Sequence, residues 1–309
     1  MPTAHTLARR LWEAVEPIHA VAYFAPEPAR AAQSLGLTGW WMGYFAGRLA
    51  PVGPLDGPAA QALCFAFSPA RVTRALPDAW ACSTPEKILQ ARLGAVRAAL
   101  ERTLPAGGDG KDGYRKDGDG KDGYRKDGDG KDLERLVLLL ELAVQGCRFE
   151  GRPLAAAWSA VPGSHAHDLV GRLWLAATIL REHRGDGHVI SVVHHGLSGL
   201  EAGLTHVATG QVTRELIQTS RGWTDQEWEQ ARRRLNARGL LDRDSRLTKS
   251  GGVLRREIES ATDRLAADPV TRLGASGVDE AVALATPLSR HLIDTGVVPV
   301  PNPIGVPRT

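Results

Sequence analysis

GWTDQEWEQARRRLNARGLLDRDSRLTKSGGVLRREIESATDRLAA, residues 222–267, is the stretch whose reading decides the fold. Thr224 followed three residues later by Glu227 is a capping box, and it opens a helix with Trp228, Ala231 and Leu235 on one face before Gly239 stops it. Leu240-Leu241 and Arg246-Leu247-Thr248 are short apolar runs joined by the turn formers Asp242 to Ser245, which predicts a small β-hairpin. A further helix starts near Lys249, carries Leu254, Ile258, Ala261 and Leu265 at core spacing, and ends before Pro269.

Upstream the chain reads as helical almost throughout. Leu7, Leu11, Val15 and Ile18 define an amphipathic first helix, with Pro17 marking a kink or stop. Short helical patterns alternate with Pro and Gly from Pro26 to Pro85, and Thr84 caps a long helix to Leu104 that carries Ile88, Leu89, Leu93, Val96 and Leu100. Between them and the next apolar periodicity at Leu133 lies a tandem repeat. GDGKDGYRKD occupies Gly108–Asp117 and again Gly118–Asp127, and GDGKD then runs on to Asp132. The period of ten does not match the nonapeptide of calcium-binding β-rolls, and the Asp spacing is not that of an EF-hand loop. Nearly devoid of apolar side chains, the insert is expected to be a disordered linker dispensable for folding. Helical periodicity then continues to Leu180, breaks at HRGDG, where Gly185 ends one helix and Asp186 caps the next, and resumes to Ala208.

Composition narrows the function without naming it. The 309 residues carry 38 Lys and Arg against 35 Asp and Glu, so an anionic partner has to be met by a local patch. Cys64, Cys82 and Cys147 are odd in number and widely spaced, as in reduced thiols of a cytosolic protein. The N-terminus is not a secretion signal and no stretch approaches the roughly 20 apolar residues of a membrane span, so a cytoplasmic location without a membrane partner is expected. P-loop, GxGxxG, GxSxG and CxxC motifs are absent, which disfavours nucleotide-dependent and triad chemistry.

RGLL at 238–241 followed by LTKSGGVL at 247–254 resembles the end of the recognition helix, the wing and the next helix of MarR-type regulators. EPIHAVAYFAPE at 16–27, REHRGDGH at 181–188, RGWTDQEW at 221–228 and IESATDRLA at 258–266 are similar to an actinobacterial SalK-like helix-turn-helix family, with members in natural-product gene clusters. The expected fold is therefore mainly α, with a helical N-terminal domain and a C-terminal winged-helix-like domain that includes the short hairpin. Its expected divisions are a ligand-binding domain over 1–209, interrupted by the insert at 106–132, a winged-helix-like domain over 210–268, and a C-terminal helix and tail over 269–309.

Two functional readings follow. Arg181, Glu182, His183, Arg184, Asp186 and His188 crowd into eight residues, and a helix start beside two Arg side chains suits a carboxylate or phosphate. His183, His188 and His19 are the candidate catalytic acid–base groups, and Arg184, Asp186, Tyr23 and Arg48 are candidate ligand contacts, Arg48 standing one turn beyond Trp40, Trp41, Tyr44 and Phe45. The structural alternatives are a solvated turn at 181–188, a satisfied core histidine at 19 and an aromatic core stripe. In this first reading the partner is a small metabolite and the family resemblance implies secondary metabolism, with enzyme against binding protein left open and no cofactor identified. No HxxxH or HExxH spacing occurs among His19, His183 and His188, so no metal is expected. In the second reading the chain is a ligand-responsive transcription regulator that contacts DNA through Arg232, Arg233 and Asn236, and a homodimer is compatible with both. Asp225, Glu227 and Glu229 at the start of that helix, where base contacts normally begin, count against it.

Overall fold

The computed structural model describes residues 2–104, 130–162 and 168–302, and all regular structure within them is helical. The helices are α1 (Ala4–Phe24), α2 (Pro26–Ser34), α3 (Gly39–Leu49), α4 (Gly57–Leu63), α5 (Pro69–Cys82), α6 (Pro85–Thr103) and α7 (Lys131–Val144). They continue with α8 (Pro153–Ser159), α9 (Leu169–His194), α10 (Gly199–Val207), α11 (Arg214–Arg221), α12 (Asp225–Ala237), α13 (Lys249–Leu265) and α14 (Ala267–Asp294). The repeat at 106–132 lies outside the described residues except for its end, which supplies the first turn of α7.

The expected winged-helix-like domain with a β-hairpin is corrected, because no strand is present among the described residues. The chain does reverse after α12, but with one isolated antiparallel bridge between Leu241 and Leu247. Asp242 N donates to Arg246 O at 2.9 Å and Thr248 N to Leu240 O at 3.1 Å to make that bridge, and side chains take neighbouring backbone groups. Asp242 Oδ1 accepts from the amides of Asp244 and Arg246, both at 2.9 Å, while Asn236 Nδ2 donates to the carbonyls of Leu241, at 3.0 Å, and Asp242. A turn fastened by Asx-type bonds, with Ser245 at φ +63°, replaces the wing.

Two local expectations fail for tertiary reasons. α1 passes through Pro17 without stopping, its flanking residues buried against α14 and α9. The break at HRGDG does not occur, and α9 runs unbroken for 26 residues. Gly187 has to be glycine for packing, since a Cβ there would meet the Arg152 guanidinium at 2.7 Å and Leu265 Cβ at 3.2 Å. Asp186 caps a different helix: its Oδ2 accepts from Leu154 N and Ala155 N at the start of α8, each at 3.0 Å.

The main core is built by α1, α6, α7, α9 and α14 around Ile18, Val96, Leu100, Leu140, Leu173 and Trp174. α14 lies along α1, and Ser289 Oγ donates to Ala14 O at 2.6 Å. A second, aromatic cluster joins Tyr23, Tyr44, Phe45 and Phe67. A third centres on Leu204, Ile217, Trp228, Leu235 and Ile258 and meets the C-terminal part of α9 at Val192. α9 therefore touches both the helical body and the α10–α13 unit, and it carries its polar run through the space between them.

Candidate nucleic-acid interface and an arginine-rich cavity

α11 and α12 are two capped helices joined by a tight turn. Thr213 accepts from Leu216 N at 3.2 Å, Gly222 ends α11 at φ +79°, and Thr224 and Glu227 close the capping box of α12 reciprocally. The turn is fixed to the segment before α5, with Ser68 N donating to Arg221 O at 2.9 Å and Trp223 Nε1 to Ala66 O at 3.2 Å. Trp228, Ala231 and Leu235 bury the inner face of α12, which leaves Gln226, Gln230, Arg233 and Ala237 exposed on the outer one.

The acidic start of α12 is compensated locally. Arg214 of α11 holds Asp225 at 2.8 Å and Glu229 at 3.4 Å, and Glu227 is folded back onto Thr224. Of the three DNA candidates, only Arg233 lies on the exposed outer face. Arg232 binds Glu229 at 2.7 Å and the Asn236 side chain at 3.1 Å, and Asn236 is occupied with the turn carbonyls described above. Arg243, Arg246 and Lys249 follow as exposed cations in the reversal and at the start of α13.

The polar run of α9 is distributed around that helix. Glu182 is fully buried and accepts a bidentate pair from Arg48, at 2.9 and 2.8 Å, and a third bond from Arg181 at 2.9 Å. Burial alone would raise its carboxyl, but Arg181 and Arg48 hold it far below the usual carboxylate range. His19 stands between Thr178 Oγ1 at 2.9 Å and Tyr23 OH at 3.0 Å and stacks on Trp174, a satisfied core arrangement in which burial keeps the imidazole neutral. His183 is also buried, its carbonyl accepts from Arg152 at 2.5 Å, and burial lowers its imidazole to about 4. Arg184 lies over Trp12 at 4.7 Å, its Nη1 2.8 Å from Asp263 Oδ1 as an ion pair without hydrogen-bond alignment. His188 Nδ1 is 3.0 Å from Thr262 Oγ1, and because that hydroxyl donates to Ile258 O, the imidazole is the donor between them. Burial holds His188 down to about 4 and lifts Asp186 to about 6.

The predicted site residues therefore do not converge as one set. His19 and Tyr23 belong together, Arg48 joins Arg181 through Glu182, and His183 and Asp186 serve Arg152 and α8. What the structure assembles instead is a cavity of about 250 Å³ lined by Arg48, Arg181, Arg221, Arg255, His188 and His206. An open cleft of about 840 Å³ shares its Arg181, His188, His206 and Arg255 edge. Arg221 and Arg255 escaped the sequence reading because nothing in their spacing links them to each other or to Arg48. Among the described residues, no group of three or more His, Cys, Asp or Glu side chains is arranged to hold a metal. No described helix is long and apolar enough to cross a membrane.

Compared with known families, residues 8–299 match the model of a helix-turn-helix family. No curated protein and no solved structure matches the chain. The SalK-like and MarR-like resemblances are thereby corrected to the helix-turn-helix family alone, since the match carries neither narrower identity and a MarR-like wing would need strands that the described residues lack.

Proposed function

We propose, on the premise that the chain belongs to this helix-turn-helix family, that it is a ligand-responsive DNA-binding regulator that reads the major groove with the outer face of α12. The observation that carries the reading is the exposed series Gln226, Gln230 and Arg233, opposite the buried Trp228, Ala231 and Leu235. Gln is suited to a bidentate pair with adenine and Arg to one with guanine, each worth about 1–3 kcal/mol of discrimination. Arg214 removes the main electrostatic objection by compensating Asp225 and Glu229. Arg243, Arg246 and Lys249 supply cations for phosphate contacts next to the helix. The residues 210–268 would carry DNA, and the small molecule would be received where the helical part over 1–209 meets them.

Retention of DNA from the protein's own upstream region on a native gel tests this directly. Arg233→Glu is expected to abolish sequence-selective retention, whereas Arg243→Ala weakens all sequences alike and lowers the salt slope by about one. Absence of retention even at low salt overturns the reading.

A further inference from the structure

We infer that the cavity between the helical body and the α11–α12 turn is an effector site for a small aromatic carboxylate. Four guanidinium groups and two imidazoles line its 250 Å³, while no Asp or Glu is among the described residues that form its wall. The nearest counter-charges stand behind the guanidiniums: Glu182 for Arg48 and Arg181, Glu16 also for Arg181 at 3.5 Å, and Glu259 for Arg255 at 2.9 Å. Burial lowers Arg221, the Tyr44 phenol beside it acts in the opposite direction, and Arg48 and Arg181 repel it. A carboxylate entering here relieves that repulsion and accepts charge-assisted hydrogen bonds from planar, preoriented donors. Burial lowers both His188 and His206 toward the neutral form, so the positive charge facing the carboxylate is that of the guanidiniums.

The rest of the wall selects what the carboxylate is attached to. Tyr44, Phe65, Phe67 and Trp223 give the cavity aromatic surface, and Arg221 already stacks over the Phe67 ring at 4.4 Å. A volume of about 250 Å³ falls below the usual range of drug-sized pockets, roughly 300–1,000 Å³, and suits a single aromatic ring with its acid. Bare phosphate would leave the aromatic wall unused.

The cavity also spans a joint. Arg48 and Phe67 belong to the helical body, Arg221 ends α11, and Trp223 lies in the turn before α12. An occupant that binds both sides fixes the angle at which α12 is presented. This effector role rests on the DNA-binding reading above, but occupancy of the cavity does not.

Isothermal titration of the full chain with benzoate, benzamide and inorganic phosphate tests the site. Benzoate is expected to bind, with benzamide and phosphate each at least about tenfold weaker, because loss of a charge-assisted hydrogen bond corresponds to about 10-fold or more in affinity. Arg221→Gln and Arg255→Gln should each weaken benzoate about tenfold while circular dichroism remains that of the parent. Should Arg221→Gln fail to fold, Arg255→Gln, whose ion pair is with Glu259 one turn along the same helix, decides the question. Equal binding of benzamide or phosphate, or unchanged benzoate affinity in the folded variants, overturns the proposal. Benzoate should also shift the midpoint of DNA retention, and an unchanged midpoint removes the effector role. If benzoate binds as described and no DNA is retained, the site stands and the DNA reading falls. Retention of DNA without benzoate binding has the converse meaning.

Discussion

Glu182 is held by three guanidinium bonds in a space with no solvent exposure, and that dependence makes its partners vulnerable. Arg48→Met removes two of the three bonds and strands a buried carboxylate, so it is expected to cost about 3–5 kcal/mol in urea denaturation. A loss below about 1 kcal/mol would mean that Arg181 alone satisfies Glu182. The histidines set the acid limit of stability. His183 and His188, at about 4 in the folded protein against about 6.5 in an unfolded chain, bind fewer protons when folded. Their contribution is present above about pH 6.5 and lost as pH falls toward 4, and the lowered His19 and His206 act in the same direction. Asp186, raised to about 6, and the raised Glu16 act in the opposite direction, but two carboxyls face four imidazoles. The unfolding temperature should therefore drop between about pH 7.5 and about pH 5, and His188→Asn should reduce that drop.

Helices whose ends are decided by neighbouring residues were legible in the sequence. The capping box at Thr224 and Glu227 forms as its spacing requires, α6 starts at the cap Thr84, and α13 starts at Lys249, although in the sequence its cap Thr248 reads as the end of a strand. Thr224→Ala is accordingly expected to cost about 1 kcal/mol, measured as a shift in the denaturation midpoint. Gly199→Ala should cost more although the change is smaller, because a Cβ at the start of α10 would run into the Phe65 carbonyl. Elements whose ends depend on distant groups were not legible. Gly185 and Asp186 look like a helix stop and a cap until the amides of α8 are brought against Asp186 and Arg152 against Gly187 one residue on. The hairpin failed similarly, since alternation and turn residues do not reveal that Asp242 and Asn236 side chains will capture backbone groups beside the single bridge.

Across the whole molecule, the site divides by the same rule. Arg233 could be singled out as a surface cation on an amphipathic helix, whereas the cavity gathers Arg48, Arg181, Arg221 and Arg255 from four separate helices whose approach no local pattern encodes. The body itself is closed by its extremes: α1 buries Leu7, Leu11, Ala14, Val15 and Ile18 in a core that α14 completes with Val278, Ala281, Ala285 and Leu288. Truncation after Ala266 is expected to give a chain with helical circular dichroism but no cooperative thermal transition, and a sharp transition would show that α14 is an accessory. That closure also orders events in time. The bond between Ser289 and Ala14 joins residues 275 positions apart, so α1 is synthesised long before α14 and has to wait for it before its apolar face is fully covered. Until then it is an exposed amphipathic surface of the kind that chaperones hold and nascent chains aggregate through, and synthesis rate becomes one of the variables that decide how much of this protein reaches its native state.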